Sequence, residues 1–250
     1  MRKRRFPSCG GCLVYFWYHL LRIALILLGM SLLGMLVLSL WLSARRSRPV
    51  SLPSPSGPYA VGRMEYTWED PTRTETLAPD KDSSSQNRKL FIWIWYPALP
   101  VGDSSTAPYL PAAWSKAIDE DRSLWKNLYQ SASTIQVHAV EKAPLRGRSP
   151  LLIFTAGYGQ LPTSYTTLIE DLASHGYSVV GVANPYSSPV VVYPDGQVVR
   201  RSPAGTIPET SPDGGQAAAD RLVDVWADDI RSTIDILEKL NVDFPTGLIE

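Results

Sequence analysis

Pro150–Ser188 reads PLLIFTAGYGQLPTSYTTLIEDLASHGYSVVGVANPYSS, and this stretch decides the fold. Leu151–Phe154 is a short continuous apolar run bounded by a glycine turn, the pattern of a buried strand. Ala156-Gly157-Tyr158-Gly159 follows as a loop with two glycines. Pro162 and Thr163 open a helical segment with Leu168, Ile169 and Leu172 at helical spacing. His175 and Gly176 close it, a basic last turn followed by the residue that most often ends a helix. Tyr177–Ala183 is then a valine-rich strand. Strand, loop, helix, strand is one βαβ unit with a parallel crossover. In such sheets the chemistry gathers at the carboxyl ends of the strands, where loop 156–162 lies.

In this order the residues resemble the α/β-hydrolase fold, and in detail the platelet-activating-factor acetylhydrolase and dienelactone-hydrolase-like group. Further landmarks match in sequence order. Gly62-Arg63, Tyr66-Thr67-Trp68 and Asp70-Pro71 resemble the opening strand. Trp95-Tyr96-Pro97-Ala98 and Ala107-Pro108-Tyr109-Leu110-Pro111 come next. Ser187-Ser188-Pro189 and Trp226-Ala227-Asp228-Asp229-Ile230-Arg231 complete the match over Pro58–Glu250. The resemblance implies that the Tyr158 backbone N–H is one oxyanion-hole donor. Gly157 and Gly159 would form the loop that lets the backbone approach a substrate. One local departure is Ala156-Gly157, where the family often has His-Gly.

A larger departure concerns the nucleophile. No serine in the chain has glycine both two residues before and two after, so there is no G-x-S-x-G elbow. In the family the elbow serine, the acid and the histidine all follow the helix that here ends near Asn241. The expectation is therefore the N-terminal portion of an α/β-hydrolase sheet with flanking helices. It would hold no catalytic nucleophile, acid or base, and would be inactive as it stands. The competing reading is a tethered, non-catalytic module, and a dienelactone or polyester hydrolase is the runner-up among enzymes.

Charge is unevenly distributed. Residues 1–48 contain eight Arg or Lys and no acid, leaving 16 bases against 24 acids in the remainder. A negative globular part offers no electrostatic footprint for nucleic acid. The basic end fits membrane topology instead. Ile23–Leu42 is free of charge, and at ~1.5 Å per residue it spans about 30 Å, the hydrocarbon thickness of a bilayer. Tyr15, Trp17 and Tyr18 mark one interface and Trp41 the other. The run exceeds the ~7–15 apolar residues of a cleavable signal, so an uncleaved signal anchor is expected, with the N-terminus cytoplasmic and the domain outside. Cys9 and Cys12 both precede the globular part, so no disulfide framework is available there. They are incidental thiols or palmitoylation sites. No metal or nucleotide site and no cofactor is indicated.

The expected domains are a basic segment 1–12, a transmembrane anchor 13–43, a Pro/Ser-rich linker 44–58, and an α/β-hydrolase domain 59–250. The linker is expected to be extended and to separate anchor from domain. Strands are expected over Val61–Trp68, Lys89–Tyr96 and Thr134–Val140, with Asp80–Arg88 a loop. Helices are expected within Pro108–Ser131 and over Ala217–Asn241. Val190–Val199 reads as a hairpin turning at Pro194-Asp195-Gly196, either overhanging an active-site mouth or standing as a solvated ribbon. His138 is expected at the surface, His175 as a helix cap, and Ser164 as a helix-start residue. Asp228 and Asp229 are expected as surface charges or partners of bases such as Arg231. The expected partners are the bilayer, through 13–43, and a lipid or small ester substrate.

Overall fold

The computed structural model describes residues 10–79, 86–102, 105–122, 129–208, 210 and 214–243. It divides into two compact units, Met1–Arg48 with Asn127–Gln130, and Pro49–Lys126 with Ser131–Glu250.

The first unit is dominated by helix α1, Gly10–Arg46. Over Tyr15–Arg46 its mean hydropathy reaches 2.6 and none of that span is buried, so it is long and apolar enough to cross a membrane. The helix runs past the expected anchor at its carboxyl end and finishes on Arg45 and Arg46. Those cations suit the negative end of the helix dipole. Arg45 also lies 5.6 Å from the centre of the Trp41 ring.

The second unit is a mixed seven-stranded sheet. Its strands are β1 (Val50–Ser51), β2 (Ala60–Thr74), β3 (Asn87–Ala98), β4 (Thr106–Pro108), β5 (Ile135–Glu141), β6 (Leu151–Thr155) and β7 (Ser178–Ala183). The order is β1-β5-β2-β3-β7-β6, with β4 on β5. β2 and β3 form a long antiparallel ladder from Ala60↔Ala98 to Asp70↔Arg88. The ladder breaks between Asp70 and Thr74, where Pro71 has no N–H to contribute. β6 and β7 pair in parallel, as the βαβ pattern requires. Their crossover is a 3-10 turn, Pro162–Tyr165, running into helix α3, Thr166–Ser174.

Strand alternation explains the two cores. Phe91, Trp93 and Trp95 of β3 point to one face, with Trp114, Ile169 and Val179. Ile92, Ile94 and Tyr96 point to the other, with Val180, Val182 and Leu237. Helix α2 (Ala112–Arg122) and α3 contribute to the tryptophan face, and helix α4 (Gln216–Asp243) to the isoleucine face. Burying each such side chain contributes about 1.5–3 kcal/mol. β3 is apolar on both sides because it is central and covered on both sides.

Several expectations need correction. β6 is only half-buried, because its outer edge meets no further strand among the described residues. The hairpin, β8 (Val190–Val192) with β9 (Val198–Arg200), is not a solvated ribbon. Val190, Val191, Val192 and Val199 are buried in the tryptophan core, and the Tyr193 hydroxyl donates to the Lys89 carbonyl at 2.6 Å.

The Pro/Ser segment after residue 49 is extended, but it is strapped to the domain rather than standing clear of it. β1 pairs with β5. Ser56 donates through N–H and hydroxyl to Asp171 Oδ1 at 2.7 and 2.9 Å. The Gly57 N–H donates to Ser174 Oγ at 2.9 Å. A segment without a core of its own is thus held by polar contacts to the end of α3. His138 lies partly buried beneath this strap rather than on the open surface, with Nε2 3.3 Å from Ser54 Oγ. Of the loop expected over Asp80–Arg88, residues 80–85 lie outside the described residues, and Asn87 and Arg88 already belong to β3.

Of the two readings of Asp229, the surface charge is excluded and the partner of bases holds, for the residue is fully buried. Arg88 donates to both its oxygens, and Arg73 lies 2.9 Å from Oδ1. Arg88 also donates to Glu75 at 2.8 Å. Position 229 is reached by these arginines because α4 packs across the β2–β3 end of the sheet. Its neighbour Asp228, about 100° around the helix, stays exposed and pairs with Arg231.

Candidate active site

Gly157, Tyr158 and Gly159 lie in the turn that leaves the carboxyl end of β6. The turn closes through the Gln160 N–H donating to the Gly157 carbonyl at 2.9 Å. Gly159 has φ +77°, the left-handed region that glycine enters without penalty. Behind the turn the 3-10 segment sits down on β7 at Gly181. A Cβ there would come within 2.6 Å of Pro162 Cβ and 3.1 Å of Trp95 Cζ3. The missing side chain therefore sets the height of the loop above the sheet.

Ala156 is buried, Gly157 is exposed, and Tyr158 is 39% exposed. The Tyr158 N–H makes no hydrogen bond to any described residue. The side chain, by contrast, is held. Its hydroxyl accepts the Ile207 N–H at 3.0 Å. The Trp226 ring lies 6.4 Å away, and the Arg201 guanidinium stands 4.9 Å from the ring centre. Arg201 Nε donates to the Ser187 carbonyl at 3.1 Å. Trp226 Nε1 donates to Ser187 Oγ at 2.9 Å. Segments distant in sequence thus meet around the Tyr158 side chain. Arg201 carried no motif in the sequence, and Trp226 entered only as a family landmark and an apolar position on an amphipathic helix, with nothing to place it against Tyr158.

Two adjoining clefts, of about 370 and about 410 Å³, meet at Tyr186, and Arg201 lines the second. Tyr186 itself is at φ +63°. A third, of about 390 Å³, contains Arg146, Arg148 and His175 at the opposite end of β6 and β7.

The other weighed residues do not join the loop. His175 caps α3, its Nδ1 2.8 Å from the Asp171 carbonyl. Ser164 lies inside the 3-10 turn. His138 faces Glu170, Nδ1 to Oε2 3.4 Å, without hydrogen-bond alignment. Glu170 is fully buried and accepts the His138 and Ala139 N–H groups. Burial, outweighing those hydrogen bonds, raises its pKa. Among the described residues no group of three or more His, Cys, Asp or Glu could hold a metal ion.

The family model of platelet-activating factor acetylhydrolase, isoform II, matches residues 44–198. The chain belongs to this family. The match begins within the expected linker and ends at the start of β9, so the strap is part of the family's domain. Among solved structures, the ferulic acid esterase from Streptomyces cinnamoneus is similar, at 26% identity and a TM-score of 0.57. The similarity covers 76% of this chain and 49% of that one, so the chain spans about half the esterase's length. No curated protein matches. The fold is that of the α/β-hydrolases.

Proposed function

We propose that this acetylhydrolase-family chain forms the oxyanion side of a membrane-anchored serine ester hydrolase acting on short-acyl phospholipids or related carboxylic esters. The observation that carries this is the Tyr158 N–H, open and unpartnered on a turn whose neighbouring side chain is fastened from several sides. Attack of a serine hydroxyl on an ester carbonyl places negative charge on the carbonyl oxygen. A fixed N–H donor about 2.7–3.1 Å from that oxygen stabilises the charge without reorganising. The amide after the nucleophile would supply the second donor. No G-x-S-x-G serine lies within these 250 residues, so the chain alone turns over no ester. Segment 13–43 anchors it with the N-terminus cytoplasmic and the domain outside. That orientation rests on the slight basic excess before the span.

The experiment is fluorophosphonate labelling of the 250-residue chain and, separately, of the product of the complete open reading frame that encodes it. The chain alone is expected to stay unlabelled and inert toward p-nitrophenyl acetate. Labelling of a G-x-S-x-G serine in the second sample supports the hydrolase. An unlabelled second sample favours a non-catalytic module. Protease treatment of intact cells checks orientation, since a shielded domain would reverse it.

A further inference from the structure

We propose that Arg201 is the anion-recognising residue beside this loop, so that the ester accepted there bears a phosphate or carboxylate near its carbonyl. The inference rests on the oxyanion reading of Tyr158 and adds the substrate's charge to it. The guanidinium lies against the loop itself. A Cβ on Gly159 would meet Arg201 Nη2 at 2.9 Å. Glycine at 159 therefore makes room for the cation as well as for the turn.

The orientation suits a ligand. Nε is committed to the Ser187 carbonyl, and Trp226 fixes Ser187 in turn. The two terminal nitrogens, by contrast, have no hydrogen-bond or carboxylate partner among the described residues. Arg200 next door is the contrast. Its terminal nitrogens are engaged by Glu120, Asp121 and the Ala117 carbonyl. A guanidinium held at Nε with both terminal groups free presents the fork that binds carboxylate or phosphate bidentately.

The surroundings agree. Among the described residues, the 410 Å³ cleft that Arg201 lines, with Tyr186, Gln197 and Ser202, contains no carboxylate. The adjoining 370 Å³ cleft contains Glu69 and Glu75. Among the described residues, the carboxylates of the two clefts thus line the one that Arg201 does not. An anion seated on Arg201 lies within a few ångströms of the loop where the ester carbonyl would sit.

The test uses the full chain in nanodiscs, followed by amide NMR, with phenyl acetate as neutral probe and 4-acetoxybenzoate as its anionic match. Both are expected to shift the Gly157–Gly159 amides. The anionic probe should bind roughly tenfold or more tightly. Arg201→Gln removes that preference and leaves phenyl acetate unaffected. In the unsubstituted chain, raising salt weakens only the anionic probe, which keeps the test independent of any disturbance by the substitution. Equal affinities for the two probes, or a preference that survives Arg201→Gln, overturns the role of Arg201 while the phenyl acetate shifts keep the oxyanion reading. If neither probe moves these amides, both fall.

Discussion

Arg88 on β3 grips Asp229 on α4 side-on, Nε to Oδ1 at 3.1 Å and Nη2 to Oδ2 at 2.7 Å, across 141 residues of sequence. Both side chains are essentially inaccessible. Burial alone would lower the arginine's pKa, but Asp229 and Glu75 outweigh it and hold the guanidinium more firmly charged than usual. Leaving one buried charge without its partner costs about 3–5 kcal/mol. Asp229→Ala should lower stability by that order in urea or thermal unfolding. Replacing the pair together, Arg88→Met with Asp229→Leu, should recover little of the loss, because buried Glu75 is then left without Arg88 and Arg73 without Asp229.

Gly181 is the second lever. Gly181→Ala drives a methyl group into Pro162 and Trp95. Overpacking of this kind costs about 1–3 kcal/mol. Because Pro162 begins the segment behind the loop, the substitution should also displace the Gly157–Gly159 amide resonances. A stability loss without that displacement would show that the loop height is set elsewhere.

The strap provides a pH prediction. Hydrogen bonds from the Ser56 N–H and hydroxyl hold Asp171 below the usual aspartate range. A depressed acid contributes its stabilisation above the unfolded value, near 4, and loses it as pH falls through the folded value. Hydrogen exchange of residues 52–57 should therefore accelerate on acidification below about pH 4. Asp171→Asn should abolish that pH step while the domain stays folded.

Glu170 carries the opposite sign. Burial raises its pKa above the ordinary glutamate value despite two backbone donors. The folded chain thus holds this proton more tightly than the unfolded chain, and stability falls as pH rises from about 4.3 through the folded value. Glu170→Gln should flatten that part of the stability profile. Glu170→Ala should cost about 1–3 kcal/mol by leaving the His138 and Ala139 amides without their acceptor. A wild-type profile that rises over the same interval would contradict the assignment.

Local pattern carried much of the fold. The apolar run of Leu151–Phe154, the glycine turn and the valines of 177–183 prescribe strand, turn and strand, because side-chain period and glycine freedom act within a few residues. The unbroken apolar span inside α1 is legible for the same reason. Position around one open amide is a different matter. Nothing near Arg201 in sequence marks it as a neighbour of Gly159, and nothing near Asp229 distinguishes it from Asp228. The burial of the hairpin valines beneath Trp93 and Trp114, and the lacing of the Pro/Ser segment to α3, depend on partners 60 or more residues away. The amino-acid order by itself determined most of the elements, since they rest on short-range periodicity and steric allowance, while the family and the candidate oxyanion turn came from the resemblance of its ordered landmarks to known hydrolases. Only tertiary packing decided which charges are buried, which arginine stands free, and which side chains brace Tyr158, because those outcomes depend on what long-range folding excludes from water.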